Sequence, residues 1–378
     1  MKTFLYNATL VSDGVLTEKQ GVLVEDGVIV AITDTCPADA QKIDLDGDYL
    51  TPTFVDLHCH GGGGFEFYDA TEEAIVGMCK MHAEHGTGVL YPTLSASNYE
   101  TTYKSLEALE MFKDKAPIYI PGAHLEGPYL SPLMCGAQDP GIVRKPNEEE
   151  YRGLYERFGE LISRWDYAPE EDENCRFAEF LSENGIVSST AHSAAKYSHL
   201  LPAFEKGNRL VTHLFSCTST VTREGGFRKL GVIETTFLLD DMYAEVIGDG
   251  CHLPAELMNM IYKIKGADKL CLITDAIRFA GIPAEDGTIW DAGGVPYLVE
   301  DGVAKLVDRS AFAGSIATTD VLLKRTVEAG IPLAQTVKML TETPARVMGL
   351  DEYGRIAVGY RAVFNRVSPE LAVTPLKP

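Results

Sequence analysis

The sequence predicts an α/β protein, a (β/α)8 TIM barrel that carries a small β-domain formed by the N- and C-terminal segments. Three observations predict this fold. Eight apolar or β-branched runs alternate with helical patterns over about 300 residues, which matches the dimensions of such a barrel. Both ends of the 378-residue chain contain short strand-like segments instead. Histidines and carboxylates follow several of the eight runs, and the strand ends of a closed parallel barrel share one rim.

The two ends of the chain have the composition of short strands separated by turns such as Asp13-Gly14 and Asp26-Gly27. The predicted strands are Phe4–Val11, Gly21–Val24, Val28–Ile32, Arg355–Gly359 and Ala362–Phe364. Because two β-rich ends flank a different middle, we expect them to meet in one small domain. This domain is predicted to comprise residues 1–52 and 350–378, and the barrel residues 53–349.

The middle of the chain alternates strands with helices. The eight predicted strands are Thr53–His58, Gly88–Leu94, Ile118–Leu125, Leu161–Ala168, Gly185–Ala191, Leu210–Leu214, Tyr243–Ile247 and Leu270–Thr274. Helix signals separate them: Asp69 has N-cap spacing to Glu72, Asn147 caps another helix, Asn184-Gly185 ends one, and Pro254 suits a first turn. An open, doubly wound sheet is the alternative arrangement.

The composition excludes several kinds of partner. A net charge of −22 opposes binding to nucleic acid or to an anionic membrane, although a small anionic substrate needs only a local cation. No signal segment opens the chain, and no apolar run reaches about 18 residues. The eight cysteines contain no CxxC pair, which indicates reduced thiols. We therefore expect a cytoplasmic protein with a small-molecule substrate.

A pair of histidines ends the first predicted strand, in the segment Thr53–Gly64. His58 and His60 are two residues apart, so in a strand their side chains project to the same side. The four glycines that follow permit close approach of other groups. Two converging imidazoles at a strand end are typical of half a metal site.

Further candidate ligands follow the other predicted strands. They are Glu126, His192, His213, Asp249, His252 and Asp275. Five of the nine histidines in the chain thus lie at strand ends, which predicts a divalent metal site on the barrel rim. His82, His85 and His199 fall in helical segments and are expected to be packed or solvated. His124 is expected to support the site rather than to ligate, and Cys59 and Cys251 to pack.

Eight motifs occur in an order that is similar to the N-acetylglucosamine-6-phosphate deacetylase family of the amidohydrolase superfamily. They are PTFVDLHCHG, HLEGPYL, TAHS, THLF, GDGCH, ITDA, FAGS and TPAR. The resemblance covers nearly the whole chain. It implies a metal-bearing barrel with a small β-sandwich built from both termini. It also implies hydrolysis of the 2-acetamido group of the sugar phosphate, giving acetate and glucosamine 6-phosphate, usually in a homodimer.

The resemblance also implies roles for individual residues. Glu126, His192 and His213 would hold the principal metal. Some members of the family lack the HxH pair, so His58 and His60 indicate the kind that binds two ions, bridged by Glu126 and with Asp275 near the second. Asp275 would be the catalytic carboxylate, serving as general base and then acid. The ligand types suit Zn2+ or Fe2+, and neither the metal nor the number of ions, one or two, follows from the sequence.

The sugar pocket departs from the family pattern in several places. The resemblance assigns substrate contacts to Ala137, Gln138, Ser216, Cys217, His252 and Arg223, the last reaching the phosphate in the neighbouring subunit's site. Met134 lies where the family commonly has lysines, and Gln138 replaces a histidine. Ser216-Cys217-Thr218 replaces Asn-Ala-Met, and Ala362-Val363 replaces Ala-Asp.

These departures leave other functions open. A related deacetylase would act on N-acetylgalactosamine 6-phosphate or on an unphosphorylated N-acetyl sugar. Cyclic-amide hydrolases are disfavoured, since they typically use a carboxylated lysine where this chain has Glu126. A non-catalytic metal-binding barrel would predict a damaged set of ligands, which the sequence does not have.

Overall fold

The computed structural model describes residues 2–290 and 295–377, and its largest sheet has eight parallel strands. In chain order they are Phe54–Cys59, Thr87–Leu94, Ala123–Glu126, Ile162–Tyr167, Val187–Thr190, Leu210–Val211, Tyr243–Ile247 and Leu270–Ile273. Each strand pairs with its neighbours in sequence, and a parallel bridge between Cys59 and Ala276 joins the last strand to the first. The predicted barrel is confirmed, because an open doubly wound sheet would not follow the chain order or close.

Helices alternate with the barrel strands and continue after the last one. They are α1 Glu72–Glu84, α2 Tyr99–Phe112, α3 Glu148–Phe158, α4 Arg176–Glu183, α5 Tyr197–Glu205, α6 Val232–Leu238, α7 Ala255–Lys265, α8 Thr319–Glu328, α9 Leu333–Leu340 and α10 Glu342–Val347. Asn147 accepts from the backbone of Glu150 at 3.2 Å, and Asn184 ends α4, both as predicted. Pro254 directly precedes α7, also as predicted.

Both ends of the chain contribute to the small β-domain. One sheet has the order Val28–Thr33, Gly21–Glu25, Lys2–Tyr6, Gln41–Asp44, and the other Val373–Leu376, Phe364–Val367, Tyr49–Pro52, Thr9–Ser12, Val15–Thr17. Leu5, Ile29, Leu50 and Phe364 belong to one buried apolar cluster that the two sheets share. The predicted meeting of the termini is therefore confirmed. The domain boundaries stay a prediction, and Met1 and Pro378 lie outside the described residues.

Three local predictions were wrong. The N-cap of α1 is Thr71, whose hydroxyl accepts from Ala74 N at 3.2 Å; Asp69 instead ends a short 3-10 turn and accepts from Glu66 N. The predicted strand Phe4–Val11 is broken at Asn7, whose φ of 57° leaves the extended region. The segment Arg355–Gly359 is not a strand, because Gly359 has a φ of 94° and sits in a turn.

Irregular connections at the rim were not predicted. A hairpin joins Thr222–Glu224 to Phe227–Lys229, and three antiparallel strands follow the barrel at Ile289–Trp290, Tyr297–Glu300 and Val303–Leu306. A two-stranded ribbon, Gly61–Gly62 with Phe65–Glu66, follows the first barrel strand. None of the helices in the described ranges is long and apolar enough to cross a membrane.

Phe177 of α4 lies at the centre of an aromatic cluster beside the fourth strand, with ring centroids of Tyr129, Tyr151, Trp165 and Tyr167 4.9 to 5.5 Å away. Substituting Phe177→Ala is expected to lower the free energy of unfolding by about 3–5 kcal/mol, because it removes a fully buried ring and leaves a cavity. Urea denaturation measures this loss. Phe227→Ala is the control, since Phe227 is 76% exposed, and its cost should stay below about 0.5 kcal/mol.

Candidate metal centre

The strand ends bring the predicted ligands to one cavity on the barrel rim. His58 and Glu126 lie within the first and third strands, while His192, His213 and Asp275 each come two residues after the fifth, sixth and eighth. The cavity has a volume of about 440 Å3, and its lining includes His60, Glu126, His192, His213, His252 and Asp275. Segments more than 200 residues apart in sequence therefore converge, as the barrel topology requires.

Glu126 is the centre of the arrangement. Its Oε1 lies 3.0 Å from His192 Nε2 and 2.9 Å from His213 Nε2. Its Oε2 lies 3.4 Å from His60 Nε2. A single buried carboxylate thus contacts His192 and His213 with one oxygen and His60 with the other, while His58 Nε2 lies 3.8 Å from Oε1.

Asp275 completes a second group of donors beside the first. Its Oδ1 lies 3.3 Å from His58 Nε2 and 3.2 Å from His60 Nε2, and the two imidazole nitrogens are themselves 3.2 Å apart. Two donor triads, one of His58, His60 and Glu126 and one of Glu126, His192 and His213, each have ligand atoms within 4.8 Å of one another. We call them the HxH group and the His192–His213 group. Glu126 belongs to both.

The Nδ1 contacts of three of the imidazoles indicate which ring nitrogen is free to bind a metal. Nδ1 of His192 lies 2.9 Å from the carbonyl of Met134, and Nδ1 of His60 lies 3.1 Å from Ser95 Oγ. Nδ1 of His58 faces Glu245 Oε2 at 3.4 Å. A proton on Nδ1 leaves the Nε2 lone pair for a metal, and such outer partners are usual for metal-binding histidines. Imidazole and carboxylate donors without a thiolate fit zinc or ferrous iron.

The backbone is strained where three of these side chains leave their strands. His192, His213 and Asp275 have φ angles of 42°, 30° and 49°, in the left-handed region that residues with a Cβ seldom adopt. Each such residue costs of the order of 1–3 kcal/mol. Strain of this kind is concentrated at functional sites, and its occurrence at three of the predicted ligands supports a functional role for this rim.

Charge complementarity sets the protonation of the group. Burial raises the pKa of the Glu126 carboxyl, but hydrogen bonds from His192 and His213 outweigh burial and hold that pKa well below its usual range. Burial likewise raises the pKa of Asp275, and the neighbouring His58 and His60 lower it overall. Burial lowers the pKa of His60, yet Asp275 and Glu126 raise it to about 9. Both carboxylates therefore stay ionised.

The predicted substrate residues occupy different positions. Ala137, Ser216 and Cys217 line the cavity. His252 also lines it, and its Nδ1 is 2.7 Å from Oδ2 of Asp249, a carboxylate that also accepts from the backbone of Cys251 and His252.

Gln138 and Arg223 differ from the other predicted substrate residues. Gln138 lines the cavity, but its amide is already used: Nε2 donates to Glu126 Oε2 at 2.7 Å, and Oε1 accepts from Ala96 N at 2.8 Å. Arg223 is exposed on the hairpin Thr222–Glu224 and does not line the cavity.

The sequence predicts that His124, Cys59 and Cys251 support the site or pack beside it. His124 contacts Thr93 Oγ1 and Asp166 Oδ2 at 3.0 and 2.9 Å, so both of its ring nitrogens already have partners. Cys59 is fully buried, with its sulfur 3.0 Å from His82 Nε2. The prediction that Cys251 packs was wrong: it is exposed in the loop that follows the seventh strand.

Sequence reasoning missed a second wall of the cavity. Glu66, Trp290, Tyr297 and Phe312 line it, and Glu66 accepts from Tyr297 OH and Arg278 Nη2 at 3.1 Å each. These residues come from the ribbon and the irregular strands, whose positions no periodicity predicts. It also missed a buried ionic cluster beneath the HxH group. A signal was present, since Arg164, Asp166 and Glu245 are charged residues inside otherwise apolar strands.

Comparison with known proteins agrees with this geometry. The family model described as "Amidohydrolase family" matches residues 49–377. The N-acetylglucosamine-6-phosphate deacetylase of Haemophilus influenzae is 30% identical over 93% of this chain and 91% of its own length. The N-acetylgalactosamine-6-phosphate deacetylase of a Shewanella species is 28% identical over 94% and 89%.

Solved structures give the same result. The D267A mutant of the N-acetyl-D-glucosamine-6-phosphate deacetylase from Mycobacterium smegmatis, in complex with N-acetyl-D-glucosamine-6-phosphate, superimposes with a TM-score of 0.91 at 28% identity. The superposition covers 100% of this chain and 98% of that one. The predicted fold and the predicted family resemblance are confirmed.

Removing the metal with a chelator is expected to make the folded state less stable at alkaline pH. The pKa of His60 is raised from 6.5 to about 9 in the folded, metal-free site, so its protonation stabilises the fold fully below pH 6.5. This contribution, on the order of 3 kcal/mol, is lost as pH rises through about 9. The thermal melting midpoint (Tm) of chelator-treated protein should therefore decrease as the pH is raised from 6.5 to 9. Zinc-loaded protein and the chelated His60→Gln variant should show a flatter profile, and identical slopes would contradict the assignment.

Proposed function

The chain belongs to the amidohydrolase family, and on that premise we propose that it deacetylates N-acetylglucosamine 6-phosphate, releasing acetate and glucosamine 6-phosphate. One observation carries the proposal: two donor groups share Glu126 at a cavity that Asp275 also lines. Curated relatives at 28–30% identity over more than nine-tenths of this chain carry that activity in their names, which supports the same reaction.

Amide hydrolysis needs an activated water, a polarised carbonyl and a proton for the leaving nitrogen. A divalent metal bound by these donors supplies the first two, since it lowers the pKa of its water to about 7 and acts as a Lewis acid. Asp275 takes the proton from the water and delivers it to the departing amine. Its lowered pKa keeps it a carboxylate, ready to accept that proton. We propose two ions per chain, zinc or ferrous iron, because both donor groups are complete.

The residues around the metal groups hold the sugar and the ligands in place. The bond from His252 Nδ1 to Asp249 fixes the ring at the cavity wall, where Nε2 orients the sugar or supports the developing oxyanion. Gln138 is proposed to hold Glu126 in addition to lining the sugar pocket, because its amide donates to that carboxylate. Ala137, Ser216 and Cys217 also line this pocket.

A phosphate on the substrate needs a cation that this chain's cavity does not provide. Among its lining residues in the described ranges there is no lysine or arginine, while Glu66 and Asp139 add acidic groups. We propose that the protein is a homodimer in which the exposed Arg223 reaches the phosphate in the neighbouring subunit's site. The eight free thiols are in keeping with a reducing cytoplasm.

The same lack of a cation favours a second candidate, a deacetylase for an unphosphorylated N-acetyl sugar. The galactosamine epimer is a further candidate, because relatives named for N-acetylgalactosamine 6-phosphate match at 27–28% identity. A non-catalytic metal-binding barrel has no support, since all six predicted ligands converge.

Acetate release from a panel of N-acetyl sugars tests the reaction. We expect the zinc-loaded protein to release one acetate per N-acetylglucosamine 6-phosphate, faster than from the galactosamine epimer or from either unphosphorylated sugar. The Asp275→Asn variant should lose at least a hundredfold in kcat because it cannot relay the proton, yet keep its zinc. Acetate from no member of the panel would refute the proposal. Substantial turnover by Asp275→Asn would assign the proton transfer to another group.

The role of Arg223 is tested by comparing phosphorylated and unphosphorylated substrates. Arg223→Ala should raise KM for the 6-phosphate tenfold or more, because it removes a charge-assisted contact, while KM for the unphosphorylated sugar should not change. Arg228→Ala is the matched control, since Arg228 lies directly opposite Arg223 in the same hairpin. Equal effects of Arg223→Ala on both substrates would remove phosphate recognition from this residue.

A further inference from the structure

A cluster of charged side chains fills the barrel interior beneath the HxH group. Arg164 is fully buried and donates through Nη1 and Nη2 to both carboxylate oxygens of Glu245, the second bond measuring 3.0 Å. Its Nε donates to Asp166 Oδ1 at 3.1 Å, and Nη2 also reaches Thr212 Oγ1 at 2.7 Å. The cluster lies on the fourth and seventh strands and on Thr212, directly after the sixth, and none of these residues lines the cavity.

The charges in this cluster do not cancel. One guanidinium faces two carboxylates, all of them fully buried, and uncompensated buried charge is costly. Two imidazoles adjoin the carboxylates: His124 lies 2.9 Å from Asp166, and His58 lies 3.4 Å from Glu245. The excess negative charge of the cluster therefore lies in the barrel interior next to His58, a predicted metal ligand.

The four histidines of the two metal groups differ in what supports them. Nδ1 of His192 meets a neutral carbonyl and Nδ1 of His60 a hydroxyl, while Nδ1 of His213 is buried without a hydrogen-bond partner among the described residues. Only His58 has a carboxylate behind it. A carboxylate that accepts from a metal-bound imidazole fixes its tautomer and raises its basicity, and removing such a partner typically costs 10–100-fold in metal affinity.

We propose that Glu245 is a positioning residue for the HxH group: held by Arg164, its carboxylate accepts the Nδ1 proton of His58 and directs the Nε2 lone pair to the second ion. Glu245 thereby sets whether the protein holds one ion or two. The inference rests on the metal dependence proposed above but not on the substrate. Because Glu245 does not line the cavity, it touches neither the sugar nor the attacking water.

Zinc titration against a chromophoric chelator tests this role independently of turnover. The wild-type chain is expected to bind two ions. In Glu245→Gln, an isosteric change, the affinity of one ion should fall 10–100-fold while that of the other is unchanged. Asp166→Asn is the matched control, because it removes the other carboxylate paired with Arg164 and leaves the Glu245–His58 contact in place. It should bind both ions like the wild type.

A double-mutant cycle separates positioning from a structural effect. In a His58→Ala background Glu245→Gln should change zinc affinity no further, because the residue acts through His58. If Glu245→Gln does not fold, Glu245→Asp keeps the charge, withdraws it from His58, and is expected to weaken the same ion. The proposal would be overturned if Glu245→Gln left both zinc affinities unchanged, lowered them equally, or had its full effect in the His58→Ala background. A wild-type protein that binds only one zinc ion would overturn it as well. The acetate assay of the wild-type protein decides the proposed function separately.

Discussion

The burial of one carboxylate, Glu126, is the constraint on which the site depends. It is 2% exposed, and an ionised carboxylate so placed is tolerated only among cations or donors. The barrel meets this requirement with three imidazoles and the Gln138 amide, each from a different segment. The carboxylate holds the histidines in one place, and the histidines keep it ionised. The groups that stabilise Glu126 are thus the same ones that would bind metal.

A closed parallel sheet brings these side chains together. The segments that supply the ligands are separated by helices, yet consecutive strands bring their ends to one rim. The left-handed backbone at His192, His213 and Asp275 then turns the side chains inward immediately after their strands. Strain of a few kcal/mol is sustained because buried apolar clusters inside and around the barrel fix those strands on both sides.

Much of the fold, and the place of the candidate site within it, could be predicted from the sequence. Strand period sufficed for the barrel, because parallel strands bury both faces. Strand-end placement predicted that histidines and carboxylates meet on one rim, where the cavity lies, and their roles as metal ligands stay a prediction. The wrong N-cap prediction at Asp69 shows the limit of local spacing, because Thr71 also fits a cap. The Asp69 carboxylate instead accepts a hydrogen bond from Arg278, which is 209 residues away in sequence. The wall of Glu66, Trp290 and Tyr297 could not be predicted, since tertiary contacts rather than periodicity hold it.

The two parts of the site are under different physical constraints, which explains why one follows the family pattern and the other departs from it. Metal binding requires donor atoms of fixed chemistry within a few ångströms of the ion, so few residue types can replace a ligand. Sugar recognition requires only complementary surfaces, which many side chains satisfy. The replacement of a histidine by Gln138 illustrates both demands, because its amide lines the sugar cavity while bonding to Glu126. Gln138 thus joins the wall of the cavity to a predicted metal ligand.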